Sequence, residues 1–517
     1  MASSLIRGRY VICEAGAEES GSRVISDGAV LQRDGVIEAV GAYEELRDRQ
    51  VDEVVGGPRF LVMPGMTNAH HHGRGVSTFQ FGTVDGCLES WIVEGWGRRP
   101  VDWYLVTLYT AIQMIKSGTT NVMYNHPRTP TSGLVDESGQ VLRGFGDSGM
   151  RTAFSVYYRG QNRVVYHDDE AFLSSLPADL AAAVRQYLAV TDISENEYFE
   201  FYESFRETHG AEASGGMVST LLSPSNVQWV SDDFFFRTKE LAARHGAAVH
   251  MHLVESWYQK EYGLRKWGKT PVAHLADLGF LGPELSCAHS VWLTEGDIEL
   301  LAESGTTVCH NPSSNLRLKN GIAPVNAMLS GGVNVAMGTD STALNDDDDM
   351  LQEMRLASKL HRQPGLERPA LDTQQALRMT TANAARPTGF DGRIGVLEPG
   401  RYADMVLLDW DAMTAPYFEG TGDAAADAVN AVVYRGKSAH VDTVVINGEV
   451  VLRGGRSVKA DEEAITAELR EQLARPIEQE TAATRNMAAR LLPYIHRFYD
   501  DWSIPSDGPH YLYNGRA

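Results

Sequence analysis

Between Phe60 and Ser341, short apolar β-rich runs alternate eight times with stretches long enough for helices. The runs end near His72, Tyr124, Val156, Leu222, His252, His289, His310 and Asp340. Strands separated by helical crossovers build a parallel sheet, and eight successive β-α units predict a closed α/β barrel of the (β/α)8 TIM type. Chemistry in such a barrel sits at the C-terminal ends of its strands. At 517 residues the chain has room for the barrel and smaller modules. Both ends show β-type alternation instead, with hairpin turns at Arg33-Asp34-Gly35 and Asn447-Gly448. They predict a small β-sandwich assembled from both termini, residues 1–62 and 396–458, around a barrel at 63–395. A C-terminal helix and aromatic tail occupy 459–517.

The formal net charge of -22 argues against nucleic-acid or anionic-membrane binding, both of which need a positive field. Cys13, Cys87, Cys287 and Cys309 are scattered without CxxC spacing, which indicates neither a disulfide framework nor a thiolate zinc cluster. No basic leader or apolar run of spanning length is present, so a cytoplasmic protein acting on a small molecule, as a homo-oligomeric dimer or tetramer, is expected. An acidic helical insertion, roughly His167 to His209, has the character of a lid, an oligomer contact or a decoration with a buried apolar stripe. The segment from Lys459 to about Leu492 reads as helix, and the tail carrying Phe498, Tyr499, Trp502, Tyr511 and Tyr513 is expected to pack on something.

The strand ends carry the chemistry. Alternate residues of a strand share a face, so His70 and His72 can point at one ion while His71 points away. The run Phe60-Leu61-Val62-Met63 reads as the short buried strand that delivers them. Three adjacent histidines can equally be a solvated loop, so the rest of the chain decides. His252 adds a third imidazole, with the Glu255 carboxylate just beyond it, and His289 and Asp340 end two further apolar runs. Three imidazoles and one carboxylate can hold a divalent ion and leave a position for water, and a nearby carboxylate can move a proton from water to a leaving group. His250 shares the face of His252 and reads as a structural histidine one layer deeper.

Pro64-Gly65, His70-x-His72, His252-x-x-Glu255, Ala288-His289, His310-Asn311-Pro312-Ser313-Ser314-Asn315 and Gly338-Thr339-Asp340 together resemble the amidohydrolase superfamily. They are similar to its branch of cytosine, guanine and adenosylhomocysteine deaminases and triazine hydrolases, over about Gly28 to Gly454. The resemblance implies that His70, His72, His252 and Asp340 ligate one zinc or iron ion, that Glu255 shuttles the proton and that His289 polarises the scissile centre. Asp340 also takes the water proton. The fourth strand, Ser219 to Pro224, lacks the lysine of two-metal members, so a mononuclear site is expected. Ser225-Asn226-Val227-Gln228-Trp229 follows Pro224 where adenosine-type members carry a histidine, which argues against a nucleoside substrate. Gln228, Trp229, Trp91, Gln80 and Asn311 are the expected substrate contacts. The run Asp346 to Asp349 reads as a helix start, with Asp346 a candidate attractor of a cationic substrate. The expected reaction is hydrolytic deamination of an amino-substituted heterocycle by water activated on the metal. The alternatives are hydrolysis of a urea, carbamate or amide bond, and a catalytically dead scaffold.

Overall fold

A computed structural model describes residues 3–17, 21–83, 86–127, 133–363, 365–366 and 371–502. The N-terminal strands β1 (Ser3–Ala17), β2 (Gly21–Arg33), β3 (Val36–Ala42) and β4 (Glu53–Pro64) precede eight strands of a second sheet. Those are β5 (Met66–His71), β6 (Thr119–His126), β7 (Arg151–Tyr158), β8 (Val218–Pro224), β9 (Val249–Leu253), β10 (Leu285–His289), β11 (Thr307–His310) and β12 (Val335–Met337). They pair in parallel in chain order. A bridge between His71 and Asp340 closes the ring, the Asp340 N–H donating to His70 O at 2.9 Å and the His72 N–H to Asp340 O at 2.6 Å. Strands β6, β9, β10 and β11 are buried along their whole length, as expected of parallel strands covered by helices outside and by each other's side chains inside. The barrel and its eight strand ends agree with the sequence reading.

The other sheet is mixed and draws on both ends of the chain, adding β13 (Met405–Asp409), β14 (Val441–Ile446), β15 (Glu449–Arg453) and β16 (Arg456–Ser457). Its order is β16-β15-β14-β13-β4-β1-β2-β3, so the two termini meet where β13 runs antiparallel to β4. Both expected hairpins form. Asp34 and Gly35, and Asn447 and Gly448, all have the positive φ that a two-residue turn between twisted strands requires.

Two expectations are corrected. Phe60 to Met63 lies in β4, paired with Leu408 and its neighbours on β13, and is not the strand that presents the histidines. Pro64-Gly65 separates the two strands: the Gly65 N–H donates to Asp404 O at 3.0 Å, and a Cβ on Gly65 would lie 2.1 Å from Thr120 Oγ1. The helix expected from Lys459 to Leu492 is two helices, Glu462–Ala474 and Gln479–Tyr499. Arg475 is extended before Pro476, as a residue preceding proline tends to be.

The insertion consists of helices Asp169–Leu173, Ala178–Val190 and Glu195–His209. Phe172, Val184 and Leu188 from it share an apolar cluster with Leu491, Ile495, Tyr499 and Trp502. The aromatic tail therefore packs on the insertion, and the Tyr166 N–H donates to Tyr499 Oη at 3.0 Å. Tyr511 and Tyr513 lie outside the described residues. Among the described residues no helix is long and apolar enough to cross a membrane.

One buried ion pair ties barrel to sheet. Arg151, the first residue of β7, donates from Nε and Nη2 to the two oxygens of Asp404 at 2.7 and 3.0 Å, and both side chains are almost wholly excluded from solvent. Asp404 Oδ1 also accepts from the Asn447 N–H at 2.7 Å. Removing one member strands the other charge. Asp404→Ala is expected to lower unfolding stability by about 3–5 kcal/mol in urea denaturation; a loss below about 1 kcal/mol contradicts this role for the pair.

Candidate active site

Six side chains expected at strand ends come together in the barrel mouth. His72, His252, Glu255, His289 and Asp340 line one cavity of about 520 Å³, and His70 lies behind them, fully buried. Two of the residues are held in left-handed backbone, His289 at φ 73° and Asp340 at φ 67°. Val254, between His252 and Glu255, is at φ 39°, which is costly for a β-branched residue and turns the chain sharply after β9.

Hydrogen bonds fix where the imidazole lone pairs point. His72 Nδ1 lies 2.7 Å from Asn125 O and His252 Nδ1 lies 3.1 Å from Ser225 O, so both Nδ1–H groups donate to carbonyls. Their Nε2 atoms are then bare acceptors, and they face each other at 3.1 Å. His70 reaches the same state by a longer route. Ser286 Oγ donates to Val249 O at 3.3 Å and accepts from His250 Nδ1 at 2.7 Å, which leaves His250 Nε2 to accept from His70 Nδ1 at 2.7 Å. His70 Nε2 is consequently an unprotonated buried nitrogen with no hydrogen bond. It lies 3.5 Å from Asp340 Oδ1, and His72 Nε2 lies 3.6 Å from the same oxygen.

Three nitrogen lone pairs and a carboxylate oxygen converging in a buried site repel one another unless a cation lies among them. The donor set suits a divalent ion of the zinc type, and its spacing groups His70, His72 and His252, and His70, His289 and Asp340, around a common point. Burial first, and then the neighbouring imidazoles, hold His70, His72 and His250 well below the ordinary histidine range. Burial pushes His252 down to about 4. Neutral imidazole is the form that ligates.

The two carboxylates are pushed apart. Burial, with the Asp340 charge adding to it, drives Glu255 well above the usual carboxylate range. Burial also opposes ionisation of Asp340, while His289, His72 and His252, in so far as they are protonated, and the hydrogen bond from the Ser314 hydroxyl bring Asp340 below that range. Ser314 Oγ donates to Asp340 Oδ2 at 2.5 Å, and Asn320 Nδ2 to Glu255 Oε1 at 2.9 Å. His289 Nε2 stands between them, 3.7 Å from Glu255 Oε2 and 4.0 Å from Asp340 Oδ2. Its Nδ1 is anchored 2.8 Å from Asn315 Oδ1. One carboxyl pushed up and its neighbour held down is the division of labour that general acid-base chemistry needs.

His71 stays outside this cluster. Its Nδ1 accepts from the Gly73 N–H at 2.9 Å, so Nε2–H donates to buried Asp348 at 2.9 Å. Asp349 caps the helix Met350–Leu360, as the acidic run suggested. Asp346 pairs with Arg317 and Ser77 and is not among the cavity residues, so it is not placed to attract a substrate. Of the expected substrate contacts, Trp91 and Trp229 line the cavity. Gln80 is exposed and closes a capping box on the turn Thr78–Phe81. Gln228 is buried off the cavity wall, and Asn311 lies beneath His289, its Nδ2 3.4 Å from the His289 Nδ1. Ser286 and Asn320, which orient the cluster, carried no signal beyond their place near a strand end or loop. Tyr187 and Leu188 of the insertion also line the cavity.

Known proteins resemble the chain along most of its length. A 5'-deoxyadenosine deaminase from Methanosarcina acetivorans is 31% identical over 480 residues, covering 91% of this chain and 97% of that one. A crystal structure of an adenosine deaminase from Xanthomonas campestris with bound zinc has a TM-score of 0.74 at 27% identity, over 91% of this chain and 98% of that one. An atrazine chlorohydrolase from Arthrobacter aurescens TC1, complexed with zinc, shares the fold with a TM-score of 0.76 at 24% identity, over 91% of this chain and all of that one. The model of the amidohydrolase family matches residues 61–451, and with three-quarters of its length inside that match the chain belongs to the amidohydrolase family.

Proposed function

We propose that the protein is a mononuclear metal-dependent hydrolase of C–N bonds that deaminates an amino-substituted heterocycle. The observation that carries this is the convergence of the His70, His72 and His252 nitrogens on the Asp340 carboxylate, with buried Glu255 held beside His289 at its edge. His70, His72, His252 and Asp340 Oδ1 would hold the ion, zinc by analogy with the zinc-bound relatives and iron as the alternative. Such an ion supplies the acidity that makes water nucleophilic near neutral pH.

The chain's own groups do the rest. Asp340 Oδ2, kept as an anion, accepts a proton from the attacking water. Glu255, fixed by Asn320 and by its own N–H donating to Gln259 Oε1 at 2.8 Å, gives its proton to the ring nitrogen or the departing amine. With its Nδ1–H held by Asn315 Oδ1, His289 presents Nε2 to the reacting centre, and as the imidazolium it would donate a hydrogen bond to charge developing at the reacting carbon. Trp91 and Trp229 offer flat apolar surface for a planar ligand. Four free cysteines, three of them buried, suit a reducing cytoplasm, and a cytoplasmic homo-oligomer remains part of the proposal.

His252→Ala and Asp340→Asn are expected to lose both bound metal and activity, measured by elemental analysis and ammonia release; a variant with full turnover contradicts the ligand assignment. Glu255→Gln should keep its metal and lose roughly 10²–10⁴ in kcat, whereas an unchanged kcat removes Glu255 from proton transfer. A panel of amino-heterocycles and ureas is expected to yield ammonia from the former. Amine-plus-acid products from the ureas alone would replace deamination by hydrolysis of a carbonyl C–N bond.

A further inference from the structure

The cavity holding the histidine cluster is walled by cations, although the chain as a whole carries a net charge of -22. Arg74, Arg98, Arg99, Arg159 and Arg163 all line it. Three of them are accounted for within the protein, Arg99 by donating from Nη1 to the Arg475 carbonyl. Arg163 Nη1 lies 3.1 Å from Asp192, and Arg159 Nη2 donates to the Arg163 carbonyl at 2.6 Å while its guanidinium lies 4.2 Å from the Trp229 ring centroid.

Arg74 and Arg98 differ. Both guanidiniums approach one indole, that of Trp91, at 5.4 and 4.4 Å from the ring centroid. Among the described residues neither forms an ion pair, and Arg98 Nε and Nη2 are buried without a hydrogen-bond partner. Burial, reinforced by the Arg74 charge, disfavours the Arg98 cation. A guanidinium nevertheless does not give up its proton in a protein, so the charge has to be met by something else. The indole meets part of it by cation–π attraction but accepts no N–H hydrogen bond of ordinary strength. Glu94 bears on Arg98 without forming an ion pair, and Glu137, the acid on the wall outside the catalytic cluster, lies 3.9 Å from His126. Two like charges sharing a ring in a partly enclosed cavity repel, and an anion between their forks removes the repulsion and satisfies the orphaned donors.

We propose that Arg74 and Arg98 form a subsite for a carboxylate on the substrate, so that the planar ligand is an amino-substituted heterocyclic acid. A planar carboxylate matches the guanidinium fork, and the ring bearing it has Trp91 and Trp229 for apolar contact. This rests on the C–N hydrolysis proposed above for the same cavity, and deepens it by naming the substrate's charge.

The test is calorimetric binding of nicotinate and of its neutral isostere nicotinamide to the full-length, metal-loaded protein. Wild type is expected to bind nicotinate at least about tenfold more tightly than nicotinamide. Arg98→Gln and Arg74→Gln should each erase most of that preference, and Arg98→Lys should keep part of it. Equal binding of the two ligands by wild type, no binding included, overturns the subsite. A preference that survives both glutamine variants also overturns it, because the carboxylate is then bound elsewhere, the metal included. Since the readout is binding, a protein that prefers nicotinate but releases ammonia from no substrate upholds the subsite and defeats the function proposed above.

Discussion

The backbone bridge between His71 and Asp340 is the constraint on which the rest of the site depends. It closes the barrel, and it does so through the residues that carry the chemistry. With Asp340 hydrogen-bonded to His70 on one side and His72 on the other, the strand period of two places both imidazoles beside the Asp340 carboxylate and sends His71 outward to Asp348. A slip of one residue would exchange His71 for its neighbours and leave the cavity without its ligands. The left-handed backbone at Asp340 and His289 is tolerated because the surrounding hydrogen bonds over-determine it.

Ligand geometry here is a matter of which nitrogen holds the proton. Two carbonyls, Asn125 and Ser225, and the relay from Ser286 through His250 each settle one tautomer, and all three leave Nε2 bare. Such outer contacts orient metal-binding imidazoles generally. The same buried setting separates the two carboxylates: Asp340 lies among imidazoles and a hydroxyl, while Glu255 has less to offset its burial.

Much of this was legible in the sequence because it is periodic or terminal. Eight apolar runs with polar residues at their ends define a parallel barrel, and the strand-end rule then selects His70, His72, His252, Glu255, His289 and Asp340. What was misread lacks that regularity. Phe60 to Met63 looks like any buried strand, and only its pairing with β13, more than 300 residues away, assigns it to the terminal sheet. Gln80 and Gln228 were expected to meet the substrate, but a capping box turns one away and packing buries the other off the wall. The arginines escaped notice because Arg74, Arg98 and Arg159 share no spacing. Loops bring them together.

X-ray absorption at the metal edge of the purified protein tests the central claim most directly. The account predicts one ion per chain with three imidazole nitrogens and carboxylate or water oxygen in its first shell, at about 2.0–2.2 Å for zinc. A second metal at about 3.5–4 Å, or a shell with fewer than three imidazoles, would contradict it.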